Sequence, residues 1–385
     1  MEKGHFGEMM KVMMVVSNPF KPDPRVYKEA RSLVKYGYDV TIIAWDREGK
    51  YPKEELVDGI KIKRIKLKSR YGDFLDFILK LPLFYIRALL ILIKEDFDVI
   101  HTHDFDTAFL GFIIKTLKGK KWIYDVHDLY FTYISNYTIK EIIKMSDLLI
   151  ANYADVILVA TQSLGKRYEG IREFYIGNGI YAEKIVTIWN VPYLKEFLHY
   201  EKLNLKKSKK ITIGFIGSIR TISNFITLFE AIKYDPSLYK IIIVGYGKYR
   251  DKLKSIVKKN YPYLDVEFID HVDYRMIPNY YKLCDLIFAF YPLQENIKRA
   301  IAIKVFESVV LGVPCIVPAE TLMEDFVKEY RCGIAIKKTE NLKENLNKFK
   351  KIKFNPKIIW KRWDWQEEEK KLIKIYKLLA KDMEK

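Results

Sequence analysis

The stretch KVMMVVSNPF (residues 11–20) begins as a short apolar strand and ends in polar residues and proline. A helix is predicted next, because apolar residues recur at helical spacing from Val26 to Val34 and Gly37 follows as a stop signal. The strand DVTIIAW (39–45) then continues the chain. Continuously apolar strands that alternate with amphipathic helices are typical of parallel sheets covered on both faces.

The same plan returns at ITIGFIGSI (211–219), followed by a predicted helix from Phe225 to Ile232 and the strand KIIIVGYG (240–247). The chain has 385 residues, of which 49% are hydrophobic, so it can bury two cores. The sequence therefore predicts an α/β protein with two doubly wound, Rossmann-like domains. The polar, basic stretch 195–210 is predicted to link them.

The composition narrows the class of partner. A formal net charge of +18 predicts an anionic partner, which is a nucleic acid, a phosphorylated substrate or a membrane surface. The basic residues are scattered along the chain, which disfavours a dedicated nucleic-acid face. Three cysteines in apolar segments and no secretory signal pattern in residues 1–16 predict a cytoplasmic protein with reduced thiols.

In doubly wound sheets, ligands bind beyond the carboxyl ends of the strands. The segments at these positions are SNPFKPDPR (17–25), HTHDFD (101–106), YDVHDLY (124–130), GFIGSIR (214–220), GYGKYR (245–250) and DHVD (270–273). The glycine-bearing turns all belong to the second half of the chain. Main-chain amides at such turns favour anions, so we expect that half to bind a phosphate.

The sequence contains partial patterns for an NAD site and for a metal site. GYGKYR is a partial dinucleotide fingerprint, but Arg250 stands where the third glycine should be, so no NAD site is expected. His101, His103, His127 and Asp128 suggest a metal. We interpret His101 and His103 as pointing to opposite faces of their strand, and therefore expect no metal site.

Residues 74–94 are apolar on most of a helical surface, yet Lys80, Arg87 and Pro82 argue against a membrane-spanning helix. Pro82 is predicted to begin a second helix. Two interpretations stay open for this segment. One is a core helix of the first sheet, and the other is an interfacial helix next to the basic run 61–70.

The stretch AIKVFESVVLGVPCIV (302–317) carries Lys304 and Glu307 near the start of an otherwise apolar helix. This cation and carboxylate, one turn apart, share a helical face. Gly312 and Pro314 separate the helix from the β-branched strand that follows.

Together these motifs resemble the retaining glycosyltransferases of family four, which have two Rossmann domains facing each other across a cleft (the GT-B fold). The motifs are DPRVYKEARSLVKYGYDVTII (23–43), DVIHTHD (98–104), YDVHDLY (124–130), GFIGSIR (214–220), IIIVGYG (241–247) and KVFESVVLGVPCIV (304–317). The resemblance implies an acceptor-binding domain in residues 1–200 and a nucleotide-sugar-binding domain in residues 201–360. It also implies that a C-terminal helix in 361–385 crosses back to the first domain, the alternative being a helix on its own domain.

The resemblance further implies that the protein transfers a sugar from a nucleotide-diphospho-sugar to an acceptor hydroxyl with retention of configuration. Glu307 would then bind the ribose hydroxyls, and Lys304 and Arg220 would act on the diphosphate. The remaining residues expected at the donor are Gly217, Gly245, Gly247, His271, Val272 and Arg299. Arg299 stands where the family often has a glutamate, and Glu295 lies four residues earlier.

On the acceptor side the resemblance implies a catalytic role for His127. The residues expected near the acceptor are Asp23, Arg25, His103, Asp104 and Asp128. The resemblance implies retention, and with no nucleophile evident in the sequence this is compatible with attack by the acceptor on the same face of the sugar. No metal and no cofactor are required in this mechanism.

The resemblance and the charge lead to expectations about partners and location. The acceptor is expected to be a glycan or a lipid-linked molecule, with peripheral contact to an anionic membrane at the inner face of the cell membrane. Two alternatives are kept. One is a nucleotide-sugar epimerase of the same fold, and the other is a basic nucleic-acid-binding protein, although no nucleic acid is expected.

Overall fold

A computed structural model describes residues 9–21, 23–70, 74–270, 272–337 and 342–383. The described chain divides into two compact units. The first unit is drawn from residues 1–160, 171–189 and 368–385, and the second from residues 161–170 and 190–367. Each unit is an α/β domain built on one sheet.

The elements follow one another along the chain. The strands are β1 (Lys11–Val16), β2 (Asp39–Asp46), β3 (Glu54–Val57), β4 (Ile60–Lys66), β5 (Val99–His103), β6 (Lys121–Val126), β7 (Val156–Val159), β8 (Ile185–Thr187), β9 (Ile211–Ile216), β10 (Tyr239–Val244), β11 (Asp265–Ile269), β12 (Leu286–Phe288), β13 (Cys315–Pro318) and β14 (Gly333–Ile336). The helices are α1 (Pro24–Lys35), α2 (Phe74–Lys94), α3 (Phe105–Lys118), α4 (Tyr137–Ala151), α5 (Ile171–Gly177), α6 (Leu194–Phe197), α7 (Ser223–Ile232), α8 (Arg250–Asn260), α9 (Ile277–Leu283), α10 (Glu295–Arg299), α11 (Ile303–Val310), α12 (Leu322–Tyr330), α13 (Leu342–Lys348), α14 (Pro356–Trp360) and α15 (Trp365–Met383). Short 3-10 helices lie at Tyr130–Tyr133, Ala182–Lys184, Tyr274–Met276 and Phe349–Lys351.

In the first unit the described strands form a sheet of order β3-β4-β2-β1-β5-β6-β7-β8. All neighbours are parallel except the β3–β4 hairpin. The apolar run of β1 is almost completely buried because the sheet is covered on both faces. The direction of winding reverses between β1 and β5, so the carboxyl ends of these two strands lie where such sheets bind ligands.

The described strands of the second unit form a parallel sheet of order β11-β10-β9-β12-β13-β14. Its core is rich in aromatic residues, with Phe215 of β9 packed edge-on against Phe225 of α7 at a ring-centroid distance of 4.7 Å. The winding reverses between β9 and β12. The end of β9, which leads into Gly217, is therefore the expected ligand position of this unit.

Helix α2 runs unbroken from Phe74 to Lys94 with Pro82 inside it, so the prediction that Pro82 begins a second helix is wrong. Pro82 lies on the exposed side of α2, and so does Ile78, whose carbonyl loses its helical hydrogen-bond partner. On the opposite side Phe84 is buried and stacks on Trp45 of β2 at 4.9 Å. Among the described residues, every helix is too short or too polar to cross a bilayer.

Candidate active site

The glycine turns of the second unit pack against each other. Gly217, Gly245 and Gly247 have φ angles of +130°, +134° and +147°, a region that disfavours side chains. A Cβ atom on Gly245 would lie 2.3 Å from the carbonyl oxygen of Gly217, and one on Gly247 would lie 2.5 Å from that of Ile219. The turn after β10 thus needs glycine in order to approach the turn after β9, a reason that the sequence analysis did not identify.

Lys304, near the start of α11, reaches the turn after β9. Its Nζ lies 3.4 Å from the ring centroid of Phe215, and a Cβ atom on Gly217 would come within 3.3 Å of it. The side chain is 5% exposed, and in the described part of the chain no carboxylate forms an ion pair with it. Burial lowers the pKa of Lys304 to about 7, although the charge of Glu307 opposes this shift. A buried ammonium of this kind favours an anionic ligand.

Arg220 is exposed just beyond Gly217. Its positive charge contributes to lowering the pKa of Lys304, so the two cations interact electrostatically at the end of β9. Arg220 forms no hydrogen bond or ion pair with another described residue. Both residues are predicted from the resemblance to act on one anion, and the structure of this unit brings them to the same end of its sheet.

Glu307 lies one turn after Lys304 on α11, and its carboxylate is held by two tyrosines. Oε1 accepts a hydrogen bond of 2.7 Å from the hydroxyl of Tyr274, and Oε2 accepts one of 2.7 Å from the hydroxyl of Tyr281. Neither tyrosine is predicted from the sequence. A carboxylate oxygen can accept more than one hydrogen bond, and the two tyrosines orient the Glu307 side chain.

The other residues expected at the donor are placed as follows. His271 lies outside the described residues, and Val272 is half-buried in the segment after β11. The guanidinium of Arg299 forms an ion pair of 2.7 Å with Glu169, which belongs to the same unit. Glu295 pairs with Lys298 on the surface of α10. The charge of Arg299 is therefore already matched by a carboxylate of the protein.

In the first unit the polar residues gather at neighbouring strands. His103 ends β5, and in the parallel register its partner on β6 is Asp125. The rings of His101 and His103 stack with centroids 4.3 Å apart. The interpretation that these histidines point to opposite faces is wrong, because residues two apart in a strand share a face.

Arg25 of α1 is buried in this cluster. Its Nη2 donates to Oδ1 of Asp125 at 2.7 Å, and its Nε donates to Oδ2 at 3.2 Å. Nε also lies 3.3 Å from Oε1 of Glu29, one turn further along α1. Asp23 caps α1 by accepting from the backbone N–H of Val26 at 3.1 Å. Arg25 thus holds two buried carboxylates, and Asp23 fixes the start of the helix that carries it.

His127 lies at the solvent side of the cluster, with its side chain 20% exposed. Its Nε2 is 2.8 Å from Oδ2 of Asp125, and its backbone N–H donates to Asp104 at 2.9 Å. Burial lowers the pKa of His127, but Asp104 and Asp125 outweigh burial and raise the pKa to about 10. Asp128 accepts a hydrogen bond of 2.6 Å from the hydroxyl of Tyr133.

Glu29 and Asp125 are the charged residues of this cluster that the sequence analysis missed. Both are fully buried, and burial raises the pKa of Glu29 to about 8. A signal for them existed in the sequence. Glu29 follows Arg25 by four residues on a predicted helix, and Asp125 precedes His127 by two on a predicted strand, so each pair shares a face.

Family models match both halves of the chain. The model described as Glycosyltransferase Family 4 matches residues 25–191, and the model described as Glycosyl transferases group 1 matches residues 199–375. An uncharacterized glycosyltransferase of Methanocaldococcus jannaschii is 20% identical over 388 residues, which cover 92% of this chain and 93% of that relative.

Solved structures share the fold. Sucrose-phosphate synthase from Thermosynechococcus elongatus matches with a TM-score of 0.78 at 14% identity, over 97% of this chain and 100% of that chain. HepE from Anabaena, in complex with UDP and glucose, matches with a TM-score of 0.71 at 13% identity, over 96% and 99% of the two chains. The predicted fold class is confirmed, and the chain belongs to the glycosyltransferases of the family 4 and group 1 type, with the two-domain GT-B fold.

Proposed function

We propose that this glycosyltransferase moves a sugar from a nucleotide-diphospho-sugar to an acceptor hydroxyl, with retention of configuration. The observation that carries the proposal is the pair Lys304 and Arg220 at the end of β9, two cations without a carboxylate partner among the described residues. A diphosphate would supply the missing negative charge. HepE, which has the same fold, is described with UDP and glucose bound.

The leaving group of such a transfer is a nucleoside diphosphate, so negative charge develops on its oxygens as the glycosidic bond breaks. Lys304 and Arg220 would stabilise that charge, and removal of a single preorganised donor of this kind typically costs about 2.7–4 kcal/mol in the barrier. Glu307, oriented by Tyr274 and Tyr281, would accept hydrogen bonds from the two ribose hydroxyls. Gly217, Gly245, Gly247, His271, Val272 and Arg299 complete the proposed donor-binding residues.

On the first unit, His127 would orient the reacting sugar or the acceptor. Asp125 holds its Nε2 and is itself held by Arg25, so the ring has a defined position. Asp125 is bound by Arg25 and Glu29 is fully buried, which disfavours either as a covalent nucleophile. A retaining transfer would therefore proceed by attack of the acceptor hydroxyl on the same face of the sugar and not through a covalent intermediate on these residues. Asp23, Arg25, His103, Asp104 and Asp128 are proposed to shape the acceptor side, with Asp23, Arg25 and His103 acting through the network and not by direct contact.

Transfer assays with a matched pair of variants test this proposal. Lys304→Met should lower turnover by about a hundredfold or more, whereas Lys258→Met, which removes an exposed lysine of α8, should leave it unchanged. The anomeric configuration of the product, read by NMR, should match that of the donor. Parent-like turnover of Lys304→Met would exclude the proposed role of Lys304. An inverted product would exclude retention, and an isomerised nucleotide-sugar without transfer would favour an epimerase.

The acceptor is proposed to be a lipid-linked or cell-surface glycan, reached at the inner face of an anionic membrane. Helix α2 supports this because it carries a second apolar stripe on its solvent side. The members of this stripe are 41–73% exposed, and they are Leu75, Ile78, Leu79, Leu83, Ile86, Leu90 and Ile93. An exposed apolar area of this extent is unusual for a surface that meets only water.

The stripe of α2 continues onto the neighbouring helices. Phe109 and Leu117 of α3 are exposed, and so are the apolar residues of α4 at helical spacing, Ile142, Met145 and Leu149. Exposed cations, Lys66, Lys68, Arg70, Arg87 and Lys94, lie on or beside α2. Part of the basic run 61–70 is used internally, because Arg64 is buried and pairs with Glu55. The remaining cations would contribute about 1 kcal/mol each at an anionic surface.

A further inference from the structure

Four buried side chains of the first unit converge on one point. Glu29 of α1, His101 and His103 of β5, and Asp125 of β6 each direct a ligand-type atom so that these atoms lie within 4.8 Å of one another. All four residues are at most 3% exposed. The mechanism proposed above uses Asp125 only as a support for His127, and it gives Glu29 and His101 no role.

The separations suit a small tetrahedral ion. Nε2 of His101 and Nδ1 of His103 lie 3.8 Å and 3.9 Å from Oε2 of Glu29, and Nδ1 of His103 lies 3.1 Å from Oδ2 of Asp125. Ligands at about 2.0–2.2 Å from a tetrahedral zinc ion are about 3.4 Å from one another. The three observed distances between ligand atoms, 3.1–3.9 Å, lie on both sides of this value. Small side-chain shifts would therefore bring these atoms to the distances that tetrahedral coordination requires.

The cluster also contains buried polar atoms that need a partner. Both carboxylate oxygens of Glu29 and Nε2 of His101 form no hydrogen bond with any described residue. Burial of such groups without a partner is costly, and it is most costly for a carboxylate. Glu29 shares the single guanidinium of Arg25 with Asp125, and the other nearby cation, His127, contacts Asp125 and Asp104. A divalent cation would stabilise the ionised form of Glu29, which burial otherwise disfavours.

Outer contacts hold the side chains in the orientation that a metal requires. Nδ1 of His101 is 2.9 Å from the hydroxyl of Tyr376 on α15, which directs Nε2 toward Glu29. Arg25 donates to both carboxylate oxygens of Asp125 and lies 3.3 Å from Oε1 of Glu29, which fixes the two carboxylates and leaves Oε2 of Glu29 facing the histidines. Hydrogen bonds of this kind from a second layer of residues are usual around metal-bound histidine and carboxylate.

We propose that Glu29, His101, His103 and Asp125 bind one divalent transition-metal ion of the zinc class. Two imidazoles and two carboxylates suit zinc and its neighbours better than magnesium or calcium, which prefer oxygen ligands alone. Four protein ligands leave no open position, so the ion is structural and holds Asp125 in place under His127. This site goes beyond the proposed function, since the donor is bound by the second unit.

Zinc titration of the full chain tests the site. The protein is freed of metal with a chelator and then titrated with Zn²⁺ by calorimetry, with metal content measured after dialysis. The parent protein should bind one Zn²⁺ per chain, show no comparable binding of Mg²⁺, and melt at a higher temperature when loaded. His101→Gln should weaken Zn²⁺ binding at least a hundredfold, whereas His199→Gln, which removes an exposed histidine of the second unit, should stay within twofold.

Tyr376→Phe is a second variant that tests the Zn²⁺ site if His101→Gln does not fold. It removes only the hydroxyl that orients His101 and should weaken Zn²⁺ binding by about 10–100-fold. Less than one Zn²⁺ per chain in the parent protein would overturn the proposal, and the cluster would then be neutralised by protons and hydrogen bonds alone. The proposal would also be overturned if folded His101→Gln bound Zn²⁺ as tightly as the parent protein does. If His101→Gln does not fold, Zn²⁺ binding by Tyr376→Phe as tight as that of the parent would overturn it. UDP binding, measured on the same samples, reports separately on the donor site.

Discussion

Lys304 would serve the proposed function at the expense of the stability of the protein. Its ammonium is almost fully buried against Phe215, and burial lowers its pKa to about 7 from an ordinary value of 10.5. Between pH 7 and 10.5 the unfolded chain therefore binds more protons than the folded protein. The contribution of Lys304 to the free energy of unfolding is thus most favourable above pH 10.5, and it becomes less favourable as pH falls toward 7.

Nucleotide binding should depend on pH in the opposite sense. A diphosphate favours the charged form of Lys304, so binding above pH 7 requires uptake of a proton, and the Kd for a nucleoside diphosphate should rise by up to tenfold per pH unit. Calorimetry between pH 6.5 and 9 would measure this, with Lys304→Met as the control expected to show a flatter profile. Parallel profiles for the two proteins would contradict the assignment.

Glu307 is expected to affect both stability and binding. Glu307→Gln replaces one carboxylate oxygen by an amide NH2 group, so one of the two tyrosine hydroxyls loses its acceptor, which should lower the free energy of unfolding by about 1–3 kcal/mol. Tyr281→Phe breaks one of the same hydrogen bonds and is the matched control. If Glu307 binds ribose, Glu307→Gln should weaken nucleoside-diphosphate binding at least tenfold more than Tyr281→Phe. Similar affinities in the two folded variants would leave Glu307 with a structural role only.

Helix α2 is consistent with both interpretations of its sequence, a core helix and an interfacial helix. One side packs on the sheet through Phe84 and Trp45, and the other exposes the apolar stripe from Leu75 to Ile93. The sequence could not choose between a core helix and an interfacial helix because both sides are apolar. The choice depends on which side meets the sheet, and that is decided by tertiary packing.

Charges placed on the exposed stripe should separate membrane binding from folding. Leu79→Glu with Ile86→Glu should reduce co-sedimentation with anionic vesicles severalfold and change stability by less than about 0.5 kcal/mol. Ile358→Glu, at an exposed apolar residue of the second unit, is the matched control and should sediment like the parent. If the parent protein sediments with neither anionic nor neutral vesicles, or if the double variant sediments unchanged, the membrane-bound acceptor is contradicted.

For the whole molecule, alternating strands and helices were sufficient to predict two Rossmann-like units, since continuous apolar strands occur in few other architectures. The cluster around Asp125 was only half anticipated. His103 and His127 follow strands and were identified, whereas Glu29 and Tyr376 come from helices distant in sequence from β5. Strand ends can be predicted from a local sequence pattern, but the contacts of Glu29 and Tyr376 with the histidines of β5 depend on how helices pack on the sheet. The expectation that no metal binds there depended partly on the opposite-face interpretation of His101 and His103, which is wrong.

In the proposed mechanism, the end of β9 binds the diphosphate of a nucleotide-sugar through Lys304 and Arg220. This binding can be measured by calorimetric titration of UDP and other nucleoside diphosphates into the parent protein, Lys304→Met, Arg220→Gln and the surface control Lys258→Met. We predict one nucleoside diphosphate per chain, a loss of affinity of at least tenfold in each of the first two variants, and no change in the control. Parent-like affinity in both Lys304→Met and Arg220→Gln would contradict the claim.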